Sequence, residues 1–232
     1  MKPADCPEND EITQTIDLLR PFVTPERFLK FTDVLRYRTR HLTVVLEDIY
    51  QPHNASAVLR TCDCFGIQDV HIIENRNKYE VNPDVALGSS KWLTLKKYHG
   101  LEENTTPCLK SLKQQGYRLI ATTPHKNDYT PATLCIEKKT ALLFGTELSG
   151  LSPTALELAD DFIRIPMVGF TESLNISVSA ATLIHTLSDR LRSASIPWQL
   201  TTDEKNIILL EWLKTSIRKS DIILRDFQNR IR

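Results

Sequence analysis

The chain has 232 residues, 41% of them hydrophobic and 25% charged, enough apolar material for a full core and unlike the composition of a disordered or fibrous protein. Lys plus Arg and Asp plus Glu both number 29, so the net charge singles out no polyanionic partner. Apolar runs such as 42–46 (LTVVL) and 141–144 (ALLF) are too short to span a bilayer, and the opening MKPADCPEND has no apolar signal region, so a cytoplasmic protein without a membrane partner is expected.

Residues 1–25 are polar and marked by Pro3, Pro7, Pro21 and Pro25, with one helical stretch near 10–20. Thr24, Pro25 and Glu26 then signal a helix start: a capping hydroxyl, a proline at the first position and an acid in the first turn. Phe28, Phe31, Val34 and Leu35 follow at helical spacing. Beyond residue 41 the pattern changes. Short apolar or β-branched runs at 42–47, 69–74, 117–121, 140–145 and 161–165 predict strands, and helical patterns lie at 54–65, 106–115, 153–159 and 175–192. Fully apolar strands alternating with helices predict an α/β fold, a parallel sheet with helices on both faces. A last helix is expected at about 203–227, with Ile207, Leu210, Trp212, Leu213, Ile217 and Ile222 on its apolar stripe.

Cys6, Cys62, Cys64, Cys108 and Cys135 form no CxxC pair, and the six histidines show no HExxH or HxxxH spacing, so reduced thiols and no metal site are expected. Charge is unevenly distributed. Residues 26–41 hold five Lys/Arg against two acids, and residues 205–232 hold seven against three. Such stretches can collect phosphates, and a solvated helix face explains them equally well.

Three stretches place glycines and polar side chains at strand ends, where open parallel sheets bind ligands. In the first, Pro52 breaks the strand 42–47, Asn54 reads as the cap of the next helix, and Arg60 lies six residues on among Val58, Leu59 and Phe65. An arginine in such company has an anion partner or a structural ion pair. The second, Phe144-Gly145-Thr146-Glu147-Leu148-Ser149-Gly150, runs from a strand into a glycine loop, with Ser152-Pro153 opening a helix. Gly145 permits close approach of a ligand to the backbone, and Glu147 could act on that ligand or cap a turn. The third spans 165–181, where Pro166 and Gly169 make a loop, Ser173 or Asn175 can cap the following helix, and Ser177, Ala180 and Ala181 form a small face. Each stretch alone is explained by turns, caps and packing.

Together, N-x5-R, FGTELSGLS and IPMVGFTESLNISVSAA resemble the three signature motifs of the SpoU branch of the SPOUT methyltransferases. Residues 27–73 and the basic stretch EWLKTSIRKSDIIL are similar to the TrmH-type tRNA (guanosine-2′-O-) methyltransferases, and the likeness covers about 26 to 225. The resemblance implies a SPOUT fold, its parallel sheet tied into a C-terminal trefoil knot, with helical extensions at both ends. It implies a polar segment at 1–25, a basic helical extension at 26–41, the methyltransferase domain at 42–192 and a second basic extension at 193–232. It also implies a homodimer through the knot region and S-adenosyl-L-methionine as cofactor, lined by Thr122, Gly145, Ile165, Met167 and Leu174. By the same carry-over Asn54, Arg60, Glu147, Ser173 and Asn175 form the catalytic cluster, and Arg36, Arg38, Arg40, Arg218 and Lys219 contact RNA phosphates. The family assigns Arg60 the role of base. A guanidinium stays protonated to about pH 12, so a phosphate clamp that also stabilises the developing oxyanion suits it better.

The activity implied is 2′-O-methylation of guanosine 18 in the D-loop of tRNA. Ribosomal RNA is the competing substrate, because the motifs serve both classes; the roughly forty residues before the first strand favour tRNA. A binding-only RNA protein is the third reading, against which all five polar positions stand. No GxGxxG or GKS/GKT loop supports an unrelated nucleotide domain.

Overall fold

Apolar side chains that alternate toward both faces of short strands require cover on each side, and the middle of the chain folds accordingly. The computed structural model describes residues 9–79, 82–126 and 128–231; residues 1–8, with Pro3, Cys6 and Pro7, and Arg232 lie outside them. The strands are β1 (Leu42–Glu47), β2 (Asp69–Ile73), β3 (Thr94–Tyr98), β4 (Arg118–Thr122), β5 (Thr140–Phe144) and β6 (Asp161–Ile163). They form one sheet in the order β3-β2-β1-β5-β4-β6, every pairing parallel. Between and after them lie α3 (Pro52–Cys64), α4 (Pro83–Ala86), α5 (Thr105–Gln114), α6 (Pro153–Leu158) and α7 (Ile176–Ser193).

Alternation along the central strands builds two cores. Leu42, Val44, Leu46, Ile120, Leu142 and Phe144 pack with Val58, Leu59, Ala180, Leu183 and Leu187 of α3 and α7. Val45, Leu119, Ala121, Ala141 and Leu143 pack with Cys108, Leu109, Leu112 and Ala155 of α5 and α6. These side chains are almost wholly removed from water, the Val, Leu, Ile and Phe among them contributing about 1.5–3 kcal/mol each.

Two departures from the sequence pattern have physical causes. The edge strand β3, TLKKY, carries Lys96 and Lys97 and is only partly buried, so it lacks the apolar run that marks the inner strands. The expected helix over 203–227 is two helices, α8 (Thr202–Ser216) and α9 (Ser220–Ile231). Ile217 is extended and Lys219 is left-handed at φ 65°, so the chain turns there and Ile222 is half exposed instead of extending the apolar stripe.

Residues up to Arg38 join those from Gln199 onward in a second compact unit, separate from Thr39–Trp198. It holds α1 (Asn9–Leu19), α2 (Pro25–Leu35), α8 and α9. Thr24 caps α2 by accepting from the Arg27 N–H at 3.2 Å. Thr201 and Glu204 form a capping box at the start of α8. Phe31 and Trp212 meet edge to face, with ring centroids 5.7 Å apart.

Within the sheet, His71 is fully buried beside Tyr98, with Nδ1 3.3 Å from the phenol oxygen. Burial, with help from the nearby Lys96 ammonium and against Asp69, pushes the imidazole from 6.5 down to about 4. Between those values the unfolded chain binds the proton and the folded one does not, so stability is lost as pH falls through that window. Stability measured by urea unfolding is expected to drop by about 2 kcal/mol more between pH 7 and pH 5 in the wild type than in His71→Gln. Equal pH slopes for the two proteins would refute the assignment.

Candidate functional site

The carboxyl ends of β1, β4, β5 and β6 open onto one cleft of about 650 Å³, a volume typical of small-molecule sites. Four loops line it: Gln51 and Asn54 after β1, Thr122–His125 at the end of β4, Phe144–Leu151 after β5, and Ile163–Ile165 with Met167 and Glu172–Ile176 after β6. Leu156 and Leu183 also line it. This is where a parallel sheet binds ligands: β5 separates β1 from β4, and strands on its two sides send their loops apart.

The glycine loop is held shut from within. Thr146 and Gly150 exchange backbone hydrogen bonds at 2.9 and 3.0 Å. A Cβ on Gly145 would collide with the backbone of Gly150 and Leu151. The loop's own backbone therefore already requires glycine at this position. The far end of the loop is tied to β1. Buried Glu47 accepts from the Ser152 N–H at 2.8 Å and hydroxyl at 2.7 Å, and from the Thr105 hydroxyl at 2.6 Å. Ser152 in turn caps α6 by accepting from the Ala155 N–H.

Four side chains from three segments are linked across the cleft. Asn54 Nδ2 donates to Glu147 Oε1 at 2.6 Å and to Gln51 Oε1 at 3.1 Å, and Asn175 Nδ2 donates to Asn54 Oδ1 at 3.3 Å. Asn175 also caps α7, accepting from the Ser177 N–H at 2.8 Å. Asn54 does not have the capping role read from the sequence. The helix begins at Pro52, Gln51 flanks it, and Asn54 lies inside the first turn with its side chain buried against Glu147. A carboxylate accepts only, so its contact orients the amide of Asn54.

The SpoU rRNA methylase family model matches residues 41–185, more than half of the chain. The chain belongs to the SpoU rRNA methylase family. It is 41% identical to the tRNA (guanosine(18)-2'-O)-methyltransferase of Borreliella burgdorferi over 93% of this chain and 97% of that protein. It is 34% identical to the enzyme of that name from Thermus thermophilus, over 82% of this chain and 97% of that one. The crystal structure of the A. aeolicus TrmH/SpoU tRNA modifying enzyme superposes with a TM-score of 0.74 at 29% identity, covering 84% of this chain and 98% of that one.

Of the residues assigned by motif, this SpoU chain brings Asn54, Glu147, Ser173 and Asn175 to the cleft wall, with Thr122, Gly145, Ile165, Met167 and Leu174. The Thr122 hydroxyl is engaged by the Leu143 carbonyl at 2.8 Å. Arg60 is not in this cleft; it is exposed on α3. Six residues along an α-helix turn a side chain about 120° away and carry it about 9 Å on, so Asn54 faces the cleft and Arg60 does not. Among the described residues Arg60 forms no ion pair.

The phosphate-contact candidates divide. Arg36, Arg218 and Lys219 are exposed, Arg36 lying 3.6 Å from Asp33. Arg38 is 1% exposed with its guanidinium over Trp212, which removes it from phosphates. Arg40 pairs with buried Asp69 at 3.1 Å, beside Lys96, and is committed to that pair. Charge counting sees neither burial nor pairing. Sequence reasoning also passed over Gln51, Arg164, His125 and Glu47. Gln51 directly precedes Pro52 at a strand's carboxyl end, a signal that was available. No helix among the described residues is long and apolar enough to cross a membrane.

Proposed function

We propose that this protein transfers a methyl group from S-adenosyl-L-methionine to the ribose 2′-oxygen of guanosine 18 in tRNA. The observation that carries the reading is the linkage of Asn54, Glu147 and Asn175 at the carboxyl ends of the strands, in a chain 41% identical to an enzyme named for that reaction. The cleft fits the cofactor. Its apolar lining residues suit an adenine ring, and exposed Glu147 and Glu172 suit a sulfonium's positive charge. The cofactor supplies an already activated methyl group, leaving alignment and proton removal to the protein. Glu147 orients Asn54, Asn54 and Asn175 present amides to the ribose hydroxyl, and Ser173 adds a hydroxyl on the same wall. Arg60 clamps the phosphate beside the reacting ribose and stabilises the oxyanion as it forms.

Residues 42–192 form the methyltransferase domain in this reading, and the helices on either side grip tRNA in the cytoplasm through Arg36, Arg218 and Lys219. The domain is knotted, β6 passing through the loop that joins β4 to β5. Supporting this, Tyr129 of that loop pairs with Ile163 on the outer edge of β6, and Arg190 of α7 donates to the carbonyls of Pro131 and Leu134 at 2.6 and 2.7 Å. The active form is a homodimer through the cleft rim. Leu148, Val168 and Phe170 there are 102%, 106% and 108% exposed, and Val178 is 48% exposed, an apolar set that a second copy would cover. Dimerisation also gives Arg60 a role: Arg60 of the partner subunit completes the cleft that its own chain does not reach.

Incubation with labelled S-adenosyl-L-methionine and total RNA, followed by mapping of the labelled ribose, tests the activity. Label at guanosine 18 of tRNA is expected. Label confined to ribosomal RNA would overturn the substrate, and no transfer to any RNA would overturn the enzyme.

A further inference from the structure

Arg164 is the one Lys or Arg among the described residues that line the cleft, whose other charged side chains are the acids Glu147 and Glu172 with His125. It directly follows β6, and its backbone N–H is pinned by the Tyr129 carbonyl at 2.9 Å, so the side chain starts from a fixed point. The residue is half-buried. Its Nε is shielded from solvent with no hydrogen-bond partner, and it forms no ion pair among the described residues. A guanidinium N–H withdrawn from water and left unpaired is costly, and an anion delivered to it recovers that cost.

We propose that Arg164 is the carboxylate subsite of this cleft, binding the α-carboxylate at the methionyl end of the cofactor. This rests on the reading that S-adenosyl-L-methionine occupies the cleft. The cofactor carries two cationic centres, the sulfonium and the ammonium, which the acids Glu147 and Glu172 suit. Its single anion needs a cation, and Arg164 is the lining residue that supplies one. A guanidinium is matched to a carboxylate by its paired N–H groups, so the contact fixes the direction of the methionyl arm as well as adding affinity. Neither Asn54 nor Asn175 provides a charge for this purpose.

The test compares S-adenosylhomocysteine with its decarboxylated counterpart, S-adenosyl-3-thiopropylamine, by titration calorimetry on wild-type protein, Arg164→Gln and Arg164→Lys. The wild type is expected to prefer the carboxylate compound by about tenfold or more. Arg164→Gln is expected to reduce that preference to within about twofold while binding the decarboxylated compound as the wild type does, and Arg164→Lys to retain part of it. A preference that survives in Arg164→Gln, or is missing in the wild type, overturns the proposal. So does an unchanged preference accompanied by weaker tRNA binding and a shallower salt dependence, which would assign Arg164 to an RNA phosphate. A wild-type protein that binds neither compound would sink the cofactor reading itself.

Discussion

Arg60→Ala is expected to lower turnover by about a hundred- to a thousandfold with little change in melting temperature, because the proposed oxyanion-stabilising donor is removed from an exposed position with no ion pair among the described residues. Arg60→Lys keeps a point charge but loses the planar fork, and its turnover should fall at least about tenfold. The location of Arg60 adds a sharper expectation. If Arg60 serves the partner's cleft, two inactive variants complement each other. Arg60→Ala retains an intact cofactor cleft, and a protein with a disrupted cleft retains Arg60. Mixed dimers then hold one complete site of two, and random pairing restores about a quarter of wild-type activity. Failure of a co-expressed mixture to rise above its two parents would remove Arg60 from the partner's cleft. Near-normal turnover by Arg60→Lys would remove the clamp altogether.

Gly145→Ala provides the disrupted cleft. The added methyl collides with the backbone of Gly150 and Leu151, which no side-chain movement can relieve, so the bonds between Thr146 and Gly150 must break and the loop carrying Glu147 must open. Displacing that loop by an ångström or so is expected to weaken S-adenosylhomocysteine binding and turnover by about a hundredfold each. Gly150→Ala is an internal comparison. Gly150 has φ 68° with nothing within 4 Å of an added Cβ, so its substitution carries only backbone strain, about 1 kcal/mol, and a much smaller loss of affinity. Calorimetry on the two variants separates the cases. Equal losses would mean that loop closure is not what holds the cleft.

Much of the fold could be read from local pattern. The four inner strands are nearly continuous apolar runs because both their faces are covered, and short runs between capped helices leave little choice beyond a parallel α/β sheet. Caps at Thr24, Ser152 and Asn175 are local chemistry and fall where the residue types place them. The edge strand β3 and the break at Ile217–Lys219 do not follow from local pattern, since an edge strand carries lysines and a helix register can end without Gly or Pro.

The polar positions of the site were legible as residues and spacings, whereas their contacts were not. Sequence by itself determined the family motifs, the strand-to-loop junctions that hold them and the presence of Asn54, Glu147 and Asn175. Only the tertiary structure decided that these three share one hydrogen-bonded cleft wall, that Arg60 faces away from it, that Arg38 and Arg40 are committed to Trp212 and Asp69, and that Gly145 is required by its own loop. Residue type and helical or strand period are encoded locally and survive in a one-dimensional reading. Facing direction, burial and pairing arise from contacts between segments far apart in the chain, such as Asn54 with Asn175, 121 positions on, and exist only once the chain has folded.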